Sequence, residues 1–113
     1  MSTRLEQLQA FLKESPQDPF LHYAIATEWL KLGKVADALA GFIQLTQDFP
    51  DYVGTYYHLA QLYERLGRPD DATATYETGM DIARKVGDRH AHGELQRALA
   101  SLRGEQEDEE YDD

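Results

Sequence analysis

Hydrophobic residues return along this chain with the spacing of one helical face, segment after segment, between short polar breaks. Leu5, Leu8, Phe11 and Leu12 make a first stripe, Leu21, Ile25, Trp29 and Leu32 a second, and Ala38, Phe42, Ile43 and Leu45 a third. Two more helical stretches are expected at about Tyr52 to Leu66 and Pro69 to Val86. Ala91, Leu95, Ala98, Leu99 and Leu102 then form a last stripe. The breaks carry helix start and stop chemistry. Thr3-x-x-Glu6 is a capping box, and Asp18 before Pro19 reads as an N-cap followed by a residue pre-set for the first turn. Gly33 and Gly67 supply left-handed stops, Pro50 closes a unit, and Gly87-Asp88 ends one helix and caps the next.

The pattern also repeats at an offset of 34 residues. Tyr23 returns as Tyr57, Ala26 as Ala60, Leu32-Gly33 as Leu66-Gly67, Asp37-Ala38 as Asp71-Ala72 and Ala40 as Ala74, while Pro16 and Pro50 keep the same step. A fixed period of this length marks a repeat architecture, in which each unit buries its apolar face by stacking on a neighbour. The expected organisation is an N-terminal half-repeat helix over 1–16, whole units over 17–50 and 51–86, a capping helix over 87–103 and a disordered acidic tail over 104–113. The sum is about six helices in an all-α chain. The last helix does not keep the register, and Glu94, Gln96, Arg97 and Arg103 give it a wet side, as suits a cap.

With those residues in view, the chain resembles the tetratricopeptide repeat family. The first unit matches its pattern with His22, Ile25-Ala26, Trp29, Gly33, Ala38, Phe42, Leu45 and Pro50. The second does so with Tyr56, Leu59-Ala60, Tyr63, Gly67, Ala72, Tyr76 and Gly79, and has Arg84 where the pattern has Pro. The missing Pro fits a second helix that runs on. The resemblance implies a right-handed superhelical stack of antiparallel helix pairs, with the first helix of each pair lining a concave groove for a peptide or partner protein. Carried over by register, the groove face is Phe20, Tyr23, Thr27 and Lys31 in the first unit and Tyr57, His58, Gln61 and Arg65 in the second. Some members hold acidic chaperone tails in a clamp of Lys, Asn and Arg. The matching positions here are Tyr23, Thr27 and His58, so that specificity is not carried over.

Two readings stand for the repeated groove residues. Tyr23 and Tyr57 are either amphipathic contact anchors or packing against a neighbouring unit's edge. Lys31 and Arg65 either meet a partner's carboxylates or favour the negative ends of their helices. The expected function is a scaffold or adaptor that binds a protein or peptide partner. The alternative is a self-assembling subunit, a homodimer made through the groove or the terminal helices, with Leu5, Leu8 and Phe11 or Leu95 and Leu99 as contacts.

Charge sharpens the partner class. Of 21 acidic residues seven lie in the last nine positions, leaving 14 acids against 11 bases and a body of only about −3 within a net −10. Nucleic-acid and anionic-membrane binding need a clustered excess of Lys and Arg that this pattern lacks. The acidic tail reads as solubilising. Sharper roles are folding back over Lys31 and Arg65 or reaching a basic partner, with Tyr111 as its apolar anchor.

The absence of Cys removes thiolate chemistry, and the N-terminal residues carry an acid and no long apolar run, so a cytoplasmic protein is expected. His90 and His92 are two apart on a helix and poor co-ligands. His22 sits at an aromatic's packing position, and no nucleophile and base share a suggestive spacing. The expectation is therefore no enzyme, no metal and no cofactor.

Overall fold

The computed structural model describes the backbone of residues 2–111 and the side chains of residues 2–108. The fold is all-α, with no strand among the described residues. Its helices are α1 (Arg4–Glu14), α2 (Pro19–Lys31), α3 (Val35–Asp48), α4 (Gly54–Arg65), α5 (Pro69–Val86) and α6 (Arg89–Tyr111). The helix starts use the caps expected from sequence. The Thr3 hydroxyl accepts the Glu6 N–H at 3.1 Å, Asp18 accepts the Phe20 N–H at 3.0 Å and Asp88 accepts the Ala91 N–H at 3.0 Å.

Gly33, Gly67 and Gly87 are left-handed, with φ of 78°, 71° and 77°. Each closes the same double bond pattern. After α2, Gly33 N–H reaches Leu30 O at 3.1 Å and Lys34 N–H reaches Trp29 O at 2.9 Å. After α4 the donors are Gly67 and Arg68, and after α5 they are Gly87 and Asp88. The last carbonyls of three helices are thereby satisfied without a side chain, and the chain is turned straight into the next element.

The chain divides after Thr55 into two compact units. In the first, α1 packs on α2 and α2 on α3. Leu8, Ala24 and Ile25 form one buried cluster, flanked by Leu5, Leu12, Leu21 and Trp29. Arg4 and Glu28 add an ion pair at 3.5 Å from α1 to α2. The α2–α3 approach is close because Ala26 of α2 and Ala38 of α3 are fully buried and Gly41 of α3 faces Ala26 and Trp29. A Cβ at Gly41 would stand 3.2 Å from the Trp29 ring and 3.3 Å from the Ala26 Cβ.

In the second unit Ala60, Ala72, Tyr76 and Ala83 have no exposed surface, and Leu62, Leu95, Leu99 and Leu102 complete the core. The tightest point is Gly79, where a Cβ would stand 2.6 Å from the Tyr56 Cβ. Small residues thus set helix separation in both units, at different steps of the repeat.

Three differences from the sequence reading have physical causes. Tyr52 lies ahead of α4 instead of starting it, because its N–H bonds Phe49 O at 3.0 Å and its ring packs against Tyr23, so the helix begins at Gly54. The stretch from Gly104, expected to be unfolded, continues α6 to Tyr111. Its Glu and Gln are good helix formers, and Gly104 interrupts nothing. Asp112, Asp113 and the Tyr111 side chain lie outside what is described. Finally, Leu8, Leu95 and Leu99 are core residues, 6%, 1% and 4% exposed, and so are not available as dimer contacts; Phe11, at 56%, is.

Two glycine substitutions should move stability in opposite directions. Gly79→Ala forces α4 and α5 apart at the Tyr56 Cβ and should cost about 1–3 kcal/mol. Gly104→Ala meets nothing within 4 Å inside a helix and should add about 0.5–1 kcal/mol. Urea midpoints measured side by side check the pair, and a Gly79→Ala chain as stable as the parent would contradict the close approach.

Candidate functional site

The residues expected on the groove face are distributed along α2 in the first unit and α4 in the second. On α2, Phe20 is 53% exposed in the first turn and Lys31 is exposed in the last. Tyr23 is half-buried between them. Its ring centroid lies 5.8 Å from that of Tyr52 and 6.3 Å, edge-on, from that of Phe42. Burial raises the Tyr23 phenol above its usual value, against a hydrogen bond with Thr27 that lowers it. The Thr27 hydroxyl also donates to the Tyr23 carbonyl at 3.0 Å. One side of the Tyr23 ring is packing, and the remainder is open. His22 Nε2–H donates to the Pro16 carbonyl at 2.8 Å, and its ring lies tilted 5.5 Å from that of Phe49, a packing role.

On α4, Tyr57 and Gln61 line an open cleft of about 440 Å³ whose other wall is α6. Glu64 continues the α4 wall; Glu94, Arg97, Ala98, Ser101 and Glu105 supply the other. The α6 residues recur at three- and four-residue steps, one continuous helical stripe. In the sequence only Glu94 and Arg97 of this stripe stand out as the wet side of a cap, while Ala98 falls with the apolar face. Arg65 is exposed beyond the cleft, and His58 is half-buried with its ring 5.6 Å from Tyr57, edge-on. Burial lowers the His58 imidazole, opposed by the charge of Glu94. On α6, Glu94 also takes an ion pair from His90 at 3.1 Å. Among the described residues Arg97 has no acidic partner. Its guanidinium lies back along α6, with Nη1 3.2 Å from where a Gly93 Cβ would be.

The α4 wall is fixed from behind by α5. The fully buried Tyr76 donates its hydroxyl to a Glu64 carboxylate oxygen at 2.5 Å, and the Gln61 amide donates to the Tyr76 oxygen at 2.5 Å. Burial chiefly, then the hydrogen bond to Glu64 and its negative charge, drive the Tyr76 phenol far above its usual value, with Gln61 acting in the other direction. The ionised form is excluded, so this hydroxyl remains a donor and the two α4 side chains keep their orientation. Chemically the cleft offers an aromatic ring, an amide, a hydroxyl and charges of both signs. Among the described residues no group of three His, Cys, Asp or Glu could hold a metal ion, and no helix is long and apolar enough to cross a membrane.

Paired helices closed by small residues and joined by left-handed glycine turns, with a side-chain-lined cleft on the first helix of the second pair, define a helical-repeat protein. The chain belongs to the tetratricopeptide repeat family, whose model matches residues 29–102. A tetratricopeptide repeat domain protein from Salinibacter ruber is 50% identical over 79% of this chain and 90% of its own, with a TM-score of 0.76. Protein BPP2914 from Bordetella parapertussis, 22% identical, aligns over 99% of this chain and 97% of its own with a TM-score of 0.83. PcrH, solved in complex with the chaperone binding region of PopD, is 14% identical over 90% of this chain and 77% of its own, with a TM-score of 0.78. No curated protein matches.

The Tyr76 contact sets an alkaline limit. A phenol held protonated in the fold but free to ionise in the unfolded chain contributes stability below pH 10, which is lost as the pH climbs through and above that value. Tyr76→Phe should therefore lose stability less steeply than the parent between pH 9 and about 11. Thermal midpoints across that range check this, and identical slopes would contradict it.

Proposed function

We propose that this chain is a protein-interaction module of scaffold or adaptor type in the cytoplasm, which holds a segment of a protein partner on the groove face of α4 and offers the groove face of α2 as a surface of its own. The observation that carries the reading is the α4–α6 cleft. It is open to solvent, about 440 Å³ in volume, and two of its side chains, Gln61 and Glu64, are held in place by Tyr76 before anything binds. Tyr57 supplies a rigid amphipathic surface of the kind that dominates interface energies. Gln61 and Ser101 suit backbone amides and carbonyls, and Arg97 is a cation without an acidic partner among the described residues. Preorganisation of Gln61 and Glu64 by Tyr76 reduces the ordering cost that binding must overcome.

The likeness to PcrH supports the same reading by analogy of fold, since that protein was solved with a segment of PopD. Membership of a family whose fold serves protein interaction supports a role without catalysis. In the first unit Tyr23, backed by Phe42 and Tyr52, is the corresponding aromatic platform, with Phe20 and Lys31 on either side.

Panning a random peptide library against the full chain supplies a probe whatever the natural partner is. Peptides so selected should bind Tyr57→Ala and Arg97→Ala chains roughly tenfold or more weakly, with helicity unchanged. Lys13→Ala, an exposed change on α1, should leave binding intact. Selected peptides that bind all three variants equally would contradict the assignment of the cleft.

A further inference from the structure

The second unit carries a feature that the groove does not use. Where the first unit ends α3 at Asp48 and places Pro50, α5 continues to Val86, and Arg84 stands at the proline's position. The extra turn brings Arg84 beside the start of α6, where its Nη2 lies 3.1 Å from His92 Nε2. Ala83, Gly87, Asp88 and Arg89 complete a hollow of about 280 Å³ at this corner. Residues 84–92 hold Arg84, Lys85 and Arg89 against Asp88 alone, a local excess of positive charge in a strongly acidic chain. Asp88 is committed to the Ala91 N–H, and Asp81 forms an exposed ion pair with Arg84 at 3.4 Å, so the corner keeps an excess of one positive charge over residues 81–92.

Arg84 and Lys85 have a local rationale, because cations suit the negative end of α5. The acids at the far end of α6 have none. Its first turn has no acid and begins with Arg89, and its last turn has no base. Exposed Glu105, Glu107 and Asp108 crowd the far end, and the sequence adds four further acids by Asp113. The far end of α6 thus bears side-chain charge of the same sign as the helix's own partial charge, an unfavourable arrangement that opposite charge from outside would relieve, while at the near end the Asp88 cap still leaves Arg84, Lys85 and Arg89 in excess. Each end carries what the other lacks. They cannot meet within one molecule, because 23 residues of continuous helix hold them about 34 Å apart.

We propose that the corner formed by Arg84, Arg89 and His92 is a docking site for the acidic segment 105–113 of a second copy of this chain. The contact is head-to-tail, so it propagates into open chains or closes into a ring and does not stop at a symmetric dimer. It rests on exposed charges, so it belongs to low ionic strength. The screening length is about 30 Å at 0.01 M salt and about 3 Å at 1 M. The corner shares no residue with the α4–α6 cleft, and the acidic segment shares only Glu105, so a Tyr57→Ala chain should associate as the parent does.

The test uses full chains in sedimentation velocity over a wide concentration range, at about 0.01 M and about 0.5 M salt. The parent should exceed its monomer mass of 12.9 kDa increasingly with concentration at low salt and return to it at high salt. Arg84→Ala with Arg89→Ala should remain monomeric at low salt. So should a chain in which all seven acids from Glu105 to Asp113 are changed to their amides. Mixed together, the two should form a species that stops at two chains, because one keeps the acidic segment and the other keeps the corner. Lys13→Ala with Lys34→Ala removes the same charge elsewhere and should associate like the parent, and circular dichroism checks that every variant is folded. A parent that stays monomeric at low salt, a mixture that fails to pair, or a Lys13/Lys34 variant that also loses association would each overturn the proposal.

Discussion

Everything in this chain depends on helices being allowed to approach closely. Ala26, Ala38, Ala60 and Ala72 have no exposed surface, and each sits where a larger side chain would separate a pair. Gly41 and Gly79 tighten the approach further, the second so much that even a methyl group has no room. Close approach lets large residues interlock around the small ones: Phe42 and Trp29 in the first unit, and Tyr56 and Tyr76 in the second. Burial of this kind is what a repeat unit contributes in place of a single large core. The left-handed turns after α2, α4 and α5 then feed each helix directly into the next.

The candidate site follows from that packing. With α5 held close to α4, the Tyr76 hydroxyl is within reach of both Gln61 and Glu64, and burial keeps it protonated. Two residues of the open face are thereby oriented by a third that is wholly inside. α6 supplies the facing wall with Glu94, Arg97, Ala98, Ser101 and Glu105, so the helix that ends the apolar core also bounds the cleft. In the first unit the same logic appears with different residues, as Phe42 and Tyr52 support Tyr23 from two sides.

Much of the fold was legible because its signals are local. Thr3, Asp18 and Asp88 cap the helices that follow them, and Gly33 and Gly67 stop the helices before them, all through contacts a few residues away. The alanine positions were legible because they repeat at 34 residues. What the sequence hid depends on contacts between elements. Glu94 and Arg97 looked like the wet side of a cap and Ser101 did not stand out at all, since nothing in their own spacing tells which helix they face. Tyr76 was recognisable as a packing aromatic, but its hydroxyl partners lie 15 and 12 positions earlier, with no local mark. Periodicity alone carries α4 back to Tyr52, because the bond to Phe49 and the ring contact with Tyr23 leave no trace in the pattern. The acidic run after Gly104 suggested an unfolded tail on charge alone. Helix propensity and continuity from a well-packed α6 carry the helix on to Tyr111.

The most direct measurement of the central claim is an amide chemical-shift map of the isotope-labelled full chain, recorded while adding a peptide selected for binding to it. The largest changes should fall along α4 and α6, at Tyr57, Gln61, Arg97 and Ser101, with further changes at Tyr23 and Thr27 on the separate surface of α2. Changes confined to the outer faces of α3 and α5, with those six residues unmoved, would contradict it.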